Sequence, residues 1–297
     1  MWLLEAAFSF GLLEDSSGDS IVKEAAAENM VIKCAGFLSC HLATELIRET
    51  LQAKLLGTNQ LLIGSEHSVE AIRKLVASTL GRKVIFFKAF LFLLTETTYE
   101  GVQADDGEGW HNDASCNDVD GECINVWIPL YCSGQSSGLR IAARRDNEWL
   151  YSALPRPRAR LDVLTKARRP DLFELDGRDD LLIIDNANGA GISLKISDLN
   201  VQEVIGASVC DAAIFSQSDL HQGIHGDGVR IQLTLKFVAD GNAGTAAQTD
   251  SSMAVQPKLS KHGVLERQLI RELLGLQAAH LLETGKVLPV PISFHES

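Results

Sequence analysis

Apolar and polar positions along the chain change their period twice. Ser39–Leu56 (SCHLATELIRETLQAKLL) and Glu66–Leu80 place apolar residues at helical spacing, the first behind a serine suited to cap it. The period then shortens. Val84–Leu94 is a dense β-branched and aromatic run that reads as a buried strand. Ile124–Tyr131, Gly138–Ala142, Leu181–Asp185, Ala212–Leu220 and Val229–Val238 read as further strands, separated by Gly, Asp, Asn and Ser clusters. Residues 239–259 are polar and rich in small residues, as a loop would be. His262–Glu283 returns to helical spacing, with Leu265, Leu269, Ile270, Leu273 and Leu276 expected on one face. Residues 15–30 read as a weak helix or a loose arm.

Helices, then short strands, then a helix predict one α+β domain with a mainly β core, a sandwich or barrel. The expected layout is a single domain over 1–297. It has N-terminal helices in 31–80, a β core over 84–238 interrupted by an insertion at about 145–180, and a C-terminal helix in 260–285.

Composition narrows the class. At 45% hydrophobic and 22% charged, the 297 residues have the balance of a globular protein with a sizeable core. The net charge of −12 argues against nucleic acid as a partner, because phosphate contacts require a net basic face. No stretch is suited to a membrane span: Val84–Thr95 is too short and carries Lys88. The first residues lack the basic start of a signal peptide, so a cytoplasmic location is the expectation. Cysteines 34, 40, 116, 123, 132 and 210 form no CxxC pair and are expected as free thiols. One segment runs against the overall charge: Arg140–Arg169 holds eight arginines and Lys166 against Asp146, Glu148 and Asp162. It reads either as a solvated, salt-bridged face or as a contact for an anionic substrate.

The candidate chemistry centres on Trp110-His111-Asn112-Asp113. A His-x-Asp pair at the start of a strand would put an imidazole and a carboxylate on one face, where they can share a metal ion. A distant histidine would complete a set of two histidines and one carboxylate, leaving coordination positions open for a chelating co-substrate and O2. Ser218–Arg230 supplies two candidates, His221 and His225, around a Gly-Asp-Gly turn. Arg230 then begins an alternating strand. A guanidinium pointing into a barrel needs an anion, and its fork suits a carboxylate.

Taken together, WHND at 110–113, NVWIPL at 125–130, GLRI at 138–141, CDAAIF at 210–215 and LHQGIHGDGVRIQLTLKF at 220–237 resemble the phytanoyl-CoA dioxygenase-like group of iron(II)/2-oxoglutarate-dependent oxygenases. The resemblance implies a double-stranded β-helix, a cupin-like jelly roll with helices packed outside it. It implies Fe(II), 2-oxoglutarate and O2 as cofactor and co-substrates, a small organic substrate, and succinate and CO2 as products. His111 and Asp113 would be iron ligands. His221 is preferred to His225 as the third, because Arg230 lies nine residues after the first and five after the second, and the family spacing is about ten. Arg230 would bind the distal carboxylate of 2-oxoglutarate. Trp127 would line that pocket, or simply pack in the core as strand tryptophans usually do. Related halogenases lack the carboxylate ligand, so Asp113 favours hydroxylation or a related oxidation over halogenation. The family's Pro-Gly-Ser-His after GLRI is here Ala142-Ala143-Arg144-Arg145. Insertions such as 145–180 form the rim of the barrel mouth in this fold.

Several features carry blander readings. His41, His67, His262, His280 and His295 lie outside the strand core, and Asp105, Asp106 and Glu108 read as a solvated loop. Two other functional classes compete with the oxygenase: a catalytically silent jelly roll that binds metal or senses, and a cupin-type metalloenzyme that does not use 2-oxoglutarate. Arg230 separates the last from the first, since only the oxygenase needs a dicarboxylate clamp.

Overall fold

The protein is described by a computed structural model that covers residues 31–52, 61–62, 66–94, 110–113, 122–133, 138–154, 161–165, 181–185, 189, 191–224, 228–239, 254–255 and 263–288. A five-stranded sheet is its centre. It is built from β1 (Ile32–Cys34), β3 (Val84–Leu94), β4 (Cys123–Cys132), β10 (Ala212–Ser216) and β12 (Arg230–Ala239), in the order β1-β10-β4-β12-β3. Every neighbouring pair in it is antiparallel. A three-stranded antiparallel sheet orders β11 (Leu220–Ile224), β5 (Gly138–Ala142) and β9 (Gln202–Ile205). A third sheet joins β6 (Leu161–Thr165), β7 (Leu181–Asp185) and β8 (Gly191–Leu194), and β2 (Leu61–Leu62) pairs with β13 (Ala254–Val255). The helices are α1 (Cys40–Gln52), α2 (Glu66–Leu80), α3 (Glu148–Ala153) and α4 (Gly263–Thr284).

Strand alternation divides the five-stranded sheet into two faces. Ile124, Val126, Ile128 and Leu130 of β4, Ile214 of β10 and Ile231, Leu233, Leu235 and Phe237 of β12 all turn one way. They pack with Leu46 and Ile47 of α1, Ile72 and Val76 of α2, and Ile270, Leu273 and Leu274 of α4. The intervening residues turn the other way. Trp127, Ala213 and Phe215 meet Leu139, Ile141 and Val204 of the three-stranded sheet in a separate cluster. The two sheets therefore face each other, with the helices outside the larger one. The helix-facing cluster is the largest among the described residues, and each Å² of apolar surface it removes from water stabilises the fold by about 25 cal/mol.

The mainly β, antiparallel core with flanking helices agrees with the sequence reading. Ser39 caps α1 as expected, its Oγ accepting the Leu42 N–H at 3.2 Å. Three expectations need correction. Ala212–Leu220 is not one strand: β10 ends at Ser216, and a turn closed by the Asp219 N–H to Ser216 O bond (3.1 Å) leads into β11. The 31–80 region is not only helical, because Ile32–Cys34 adds an edge strand against β10, too short to show a period. Within the span of the expected insertion lie α3 and β6, and β6 pairs with β7. On α4 the buried stripe is Ile270, Leu273, Leu274, Gln277, Ala278 and Leu281, whereas Leu276 is 58% exposed. At ~100° per residue Leu276 points about 130° away from the middle of that stripe.

The cysteines at 34, 40, 123, 132 and 210 are free thiols; Cys116 lies outside the described residues, as do residues 15–30 and most of 239–259. No helix among the described residues is long and apolar enough to cross a membrane.

Candidate metal centre

His111 and Asp113 reach the sheets through backbone bonds rather than as the start of a strand. His111 N–H donates to His221 O at 3.0 Å and His221 N–H returns to His111 O at 2.8 Å, an isolated antiparallel bridge to β11. Asp113 N–H donates to Gln217 O at 2.9 Å, in the turn between β10 and β11. The motif is anchored on both sides. Trp110 is buried with Ala142, Leu150, Tyr151 and Leu220, and Asn112 Oδ1 accepts the Leu161 N–H of β6 at 3.2 Å.

One His111 nitrogen, one Asp113 oxygen and one His221 nitrogen all lie within 4.8 Å of one another. His221 Nε2 is 3.6 Å from Asp113 Oδ2, and His111 Nε2 is 3.9 Å from Asp113 Oδ1. The two imidazole rings are 4.3 Å apart, and Phe215 meets the His221 ring edge-on at 5.0 Å. His221 is buried, whereas the His111 side chain is 54% exposed, so the cluster opens to solvent on the His111 side.

The tautomer of His221 follows from its neighbour. Its Nδ1 lies 2.9 Å from the carbonyl oxygen of Asp219, which can only accept, so the proton sits on Nδ1 and Nε2 keeps its lone pair. Burial, and then the adjacent His111, push the His221 pKa down to about 4 against the attraction of Asp113. The imidazole is neutral at ordinary pH, the form that binds metal. Burial opposes ionisation of Asp113, but His221, Lys236 and His111 outweigh it and hold the carboxyl well below the usual range. The neutral His221 nitrogen, the His111 imidazole and an ionised carboxylate are a donor set suited to a first-row divalent ion.

The carboxylate is held from behind. Lys236 Nζ lies 2.9 Å from Asp113 Oδ2, and Asn125 Nδ2 donates to the same oxygen at 2.8 Å. Both contacts occupy Oδ2. Asn125 Oδ1 and Trp127 Nε1 are buried without a hydrogen-bond partner among the described residues. An orphaned acceptor and an orphaned donor, two residues apart on one face of β4, fit a polar ligand seated beside the cluster.

Arg230 stands on the same inner face. Its Nη1 donates to Gly138 O at 2.7 Å and Ile224 O at 3.0 Å, and its Cζ is 5.8 Å from the Trp127 ring centre. The guanidinium thus ties the start of β12 to both β5 and β11 while leaning over Trp127.

No protein-family model matches the sequence, and no curated protein matches it. Solved structures resemble it remotely. A non-haem α-ketoglutarate-dependent epimerase, SnoN of nogalamycin biosynthesis, is 12% identical with a TM-score of 0.44, over 74% of this chain and 84% of that one. A Pseudomonas putida prolyl-4-hydroxylase is 12% identical with a TM-score of 0.37, over 74% and 93%. The iron and α-ketoglutarate-dependent endoperoxidase NvfI is 12% identical with a TM-score of 0.39, over 71% and 77%. These are distant likenesses, and the functional reading rests on the residues of this chain.

Of the residues singled out from sequence, His111, Asp113 and His221 come together, and Trp127 and Arg230 form a second group on the adjoining wall. His221 is the second residue of β11, opposite Ile141. His225 lies outside the described residues. In the Arg-rich segment, Arg140 pairs with Glu203 at 2.8 Å and Arg144 stacks over Tyr151 at 4.7 Å, both structural contacts. Arg156, Arg158, Arg160, Arg168 and Arg169 lie outside the described residues.

Sequence reasoning missed Lys236 and Asn125. The signal was available: Arg230, Gln232, Thr234 and Lys236 alternate with Ile231, Leu233, Leu235 and Phe237, and Asn125 shares the period of Trp127.

Proposed function

We propose that this chain is an iron(II)- and 2-oxoglutarate-dependent oxygenase of the phytanoyl-CoA dioxygenase-like group, with its two facing sheets wound as a double-stranded β-helix. It would hydroxylate, or otherwise oxidise, a small organic substrate. The observation that carries the reading is the convergence of His111, Asp113 and His221 within 4.8 Å, drawn from separate segments of the chain.

His111, Asp113 and His221 would hold the iron. When bound, iron(II) and 2-oxoglutarate supply the oxidising chemistry, coupling O2 reduction to decarboxylation of the co-substrate to succinate and CO2. The chain's own part is orientation and exclusion. The Asp219 carbonyl fixes the His221 ring with Nε2 turned to the cluster. Phe215 closes the cluster from the β10 side. Trp127 Nε1 offers a buried N–H to a ligand oxygen. From Asn125, which touches Asp113, to Trp127 is two residues, about 7 Å along a strand, and Arg230 leans over that ring. A five-carbon diacid chelating at the cluster would span that interval and present its distal carboxylate to Arg230. The exposed His111 side is the approach for substrate.

The test is direct. Purified protein supplied with Fe(II), ascorbate and 2-oxoglutarate should release succinate, and release more with a true substrate. Arg230→Met should raise the KM for 2-oxoglutarate by about tenfold or more while changing metal affinity less than threefold, since a buried guanidinium–carboxylate contact contributes ~1.5–3 kcal/mol. Absence of succinate from metal-loaded wild type under all conditions would leave the silent, metal-binding reading in its place.

A further inference from the structure

A buried ammonium beside a metal-binding carboxylate is not required by the oxygenase reading, yet Lys236 supplies one. Its residue is 1% exposed, set on β12 directly opposite Asn125 of β4. The Nζ lies 2.9 Å from Asp113 Oδ2, the oxygen to which Asn125 also donates. The carboxylate therefore meets a metal ion with its charge already countered.

The charges add simply. Asp113 contributes −1 and Lys236 +1, while an imidazole adds no charge when it ligates a metal, because it binds through a neutral nitrogen. A divalent ion then brings the cluster to +2, in surroundings where like charges repel far more strongly than in water. A chelating dianion brings the total back to zero. By thermodynamic linkage, whatever the dianion gains from the metal, the metal gains from the dianion.

We propose that Lys236 is a positioning residue that makes metal binding by His111, Asp113 and His221 depend on an anionic chelating co-ligand, so that the metal alone binds weakly and the metal and a dianion bind as a pair. This rests on the metal-centre reading above. Lys236 restrains Oδ2 and offsets the charge of Asp113, so the empty site discriminates against a lone divalent ion. A site without the lysine would take the metal whether or not co-substrate is present.

The probes are Mn(II), which needs no anaerobic handling, and oxalate, a chelating dianion too short to reach Arg230. Titration calorimetry on the full chain, at buffered free Mn(II), gives the metal affinity with and without saturating oxalate. For wild type, oxalate should tighten Mn(II) binding about tenfold or more. Lys236→Met should bind Mn(II) alone about tenfold more tightly than wild type, with the oxalate enhancement reduced to about threefold or less. Lys236→Arg, which keeps the charge, should keep most of the coupling. Equal Mn(II) affinity and equal enhancement in wild type and Lys236→Met would overturn the proposal while leaving the metal centre intact. Absence of Mn(II) binding in wild type, with and without oxalate, would overturn both. Should Lys236→Met fail to fold by circular dichroism, wild type decides alone. Pyruvate, a monoanion with the same bite, should then enhance Mn(II) binding several-fold less than oxalate, and equal enhancement by the two sinks the idea.

Discussion

The two faces of β12 are equally buried and chemically opposite. Ile231, Leu233, Leu235 and Phe237 face the helices, and Arg230, Gln232, Thr234 and Lys236 face the opposing sheet, with no residue of either set more than 8% exposed. On the helix side each side chain contributes roughly 1.5–3 kcal/mol by leaving water. On the inner side, burial of a charge or an amide is unfavourable unless a partner offsets it. The partners are specific. Lys236 meets Asp113, and Arg230 meets two backbone carbonyls and the Trp127 ring. A strand built only for stability would carry apolar residues on both faces. The inner face instead retains polar groups at a cost in stability, and it is the face that adjoins the His–Asp–His cluster.

The largest effect should come from breaking the inner face at its most charged point. Asp113→Ala removes a metal ligand and takes from the buried Lys236 ammonium the carboxylate it meets at 2.9 Å. Metal affinity should fall by more than about a hundredfold, and the metal-free protein should lose about 3–5 kcal/mol in urea unfolding. Asp113→Ala combined with Lys236→Met should recover most of that stability and none of the metal binding. Phe237→Ala, on the other face, should also cost about 3–5 kcal/mol through the cavity left beside Phe86, yet leave metal affinity within a factor of two. If Phe237→Ala weakens metal binding as much as it weakens the fold, the two faces are not separable and the contrast fails.

Next in size is a pH effect at His221. Its folded pKa is about 4, against an unfolded value near 6.5, so the unfolded chain binds more protons between those values. Stability from this group is therefore full above about pH 6.5 and is lost as pH falls towards 4, by up to about 3 kcal/mol. Asp219 works in the opposite direction. Burial pushes it up to about 7 against N–H bonds from Arg144 and Ser216, so its folded form holds a proton that the unfolded chain releases over the same range. The His221 contribution is thus read as a difference. Unfolding of metal-free wild type and His221→Gln, measured at pH 7 and pH 4.5, should show wild type losing more stability on acidification. An equal loss in both would mean that the imidazole is not held neutral by burial.

Much of this arrangement was legible in the chain because it depends on period and on rare residue combinations. Long elements that are densely apolar, β3 and β4, or alternating, β12, match their expected ranges to within a residue or so, and Glu66–Leu80 forms a helix as read. The short pieces were not legible. Ile32–Cys34, Gly191–Leu194 and Gln202–Ile205 span three or four residues, too few to show a period, and exist because a neighbouring strand supplies their hydrogen bonds. The break at Gln217–Asp219 was hidden because the turn is closed by backbone and Asp219 bonds rather than by glycine or proline. His111 and Asp113 were found by spacing, but the reason they meet His221 is a two-bond bridge that no local pattern records. Lys236 and Asn125 were overlooked for a different reason. Register decides which polar residue of an alternating strand meets which partner, and register is a property of the pair.

The smallest effect is the sharpest probe of that register, because it uses two neighbouring residues of similar size. Gln232 and Leu233 are both buried and point to opposite faces of β12. Gln232 Oε1 has no hydrogen-bond partner among the described residues, so the folded chain gains little from that oxygen. Replacing it with leucine removes an unsatisfied polar atom at nearly constant volume, which is close to neutral or slightly stabilising. Gln232→Leu should lie within about 1 kcal/mol of wild type in urea unfolding, on the stable side if it differs. The reverse exchange at the next position, Leu233→Gln, buries an amide among Val126, Ile128 and the helices, and should be worse by about 2–4 kcal/mol. The price of Gln232→Leu should appear only with ligand, as weaker 2-oxoglutarate binding at unchanged stability. If Gln232→Leu destabilises the ligand-free protein as much as Leu233→Gln does, the inner face is an ordinary packed core, and its polar stripe owes nothing to a bound molecule.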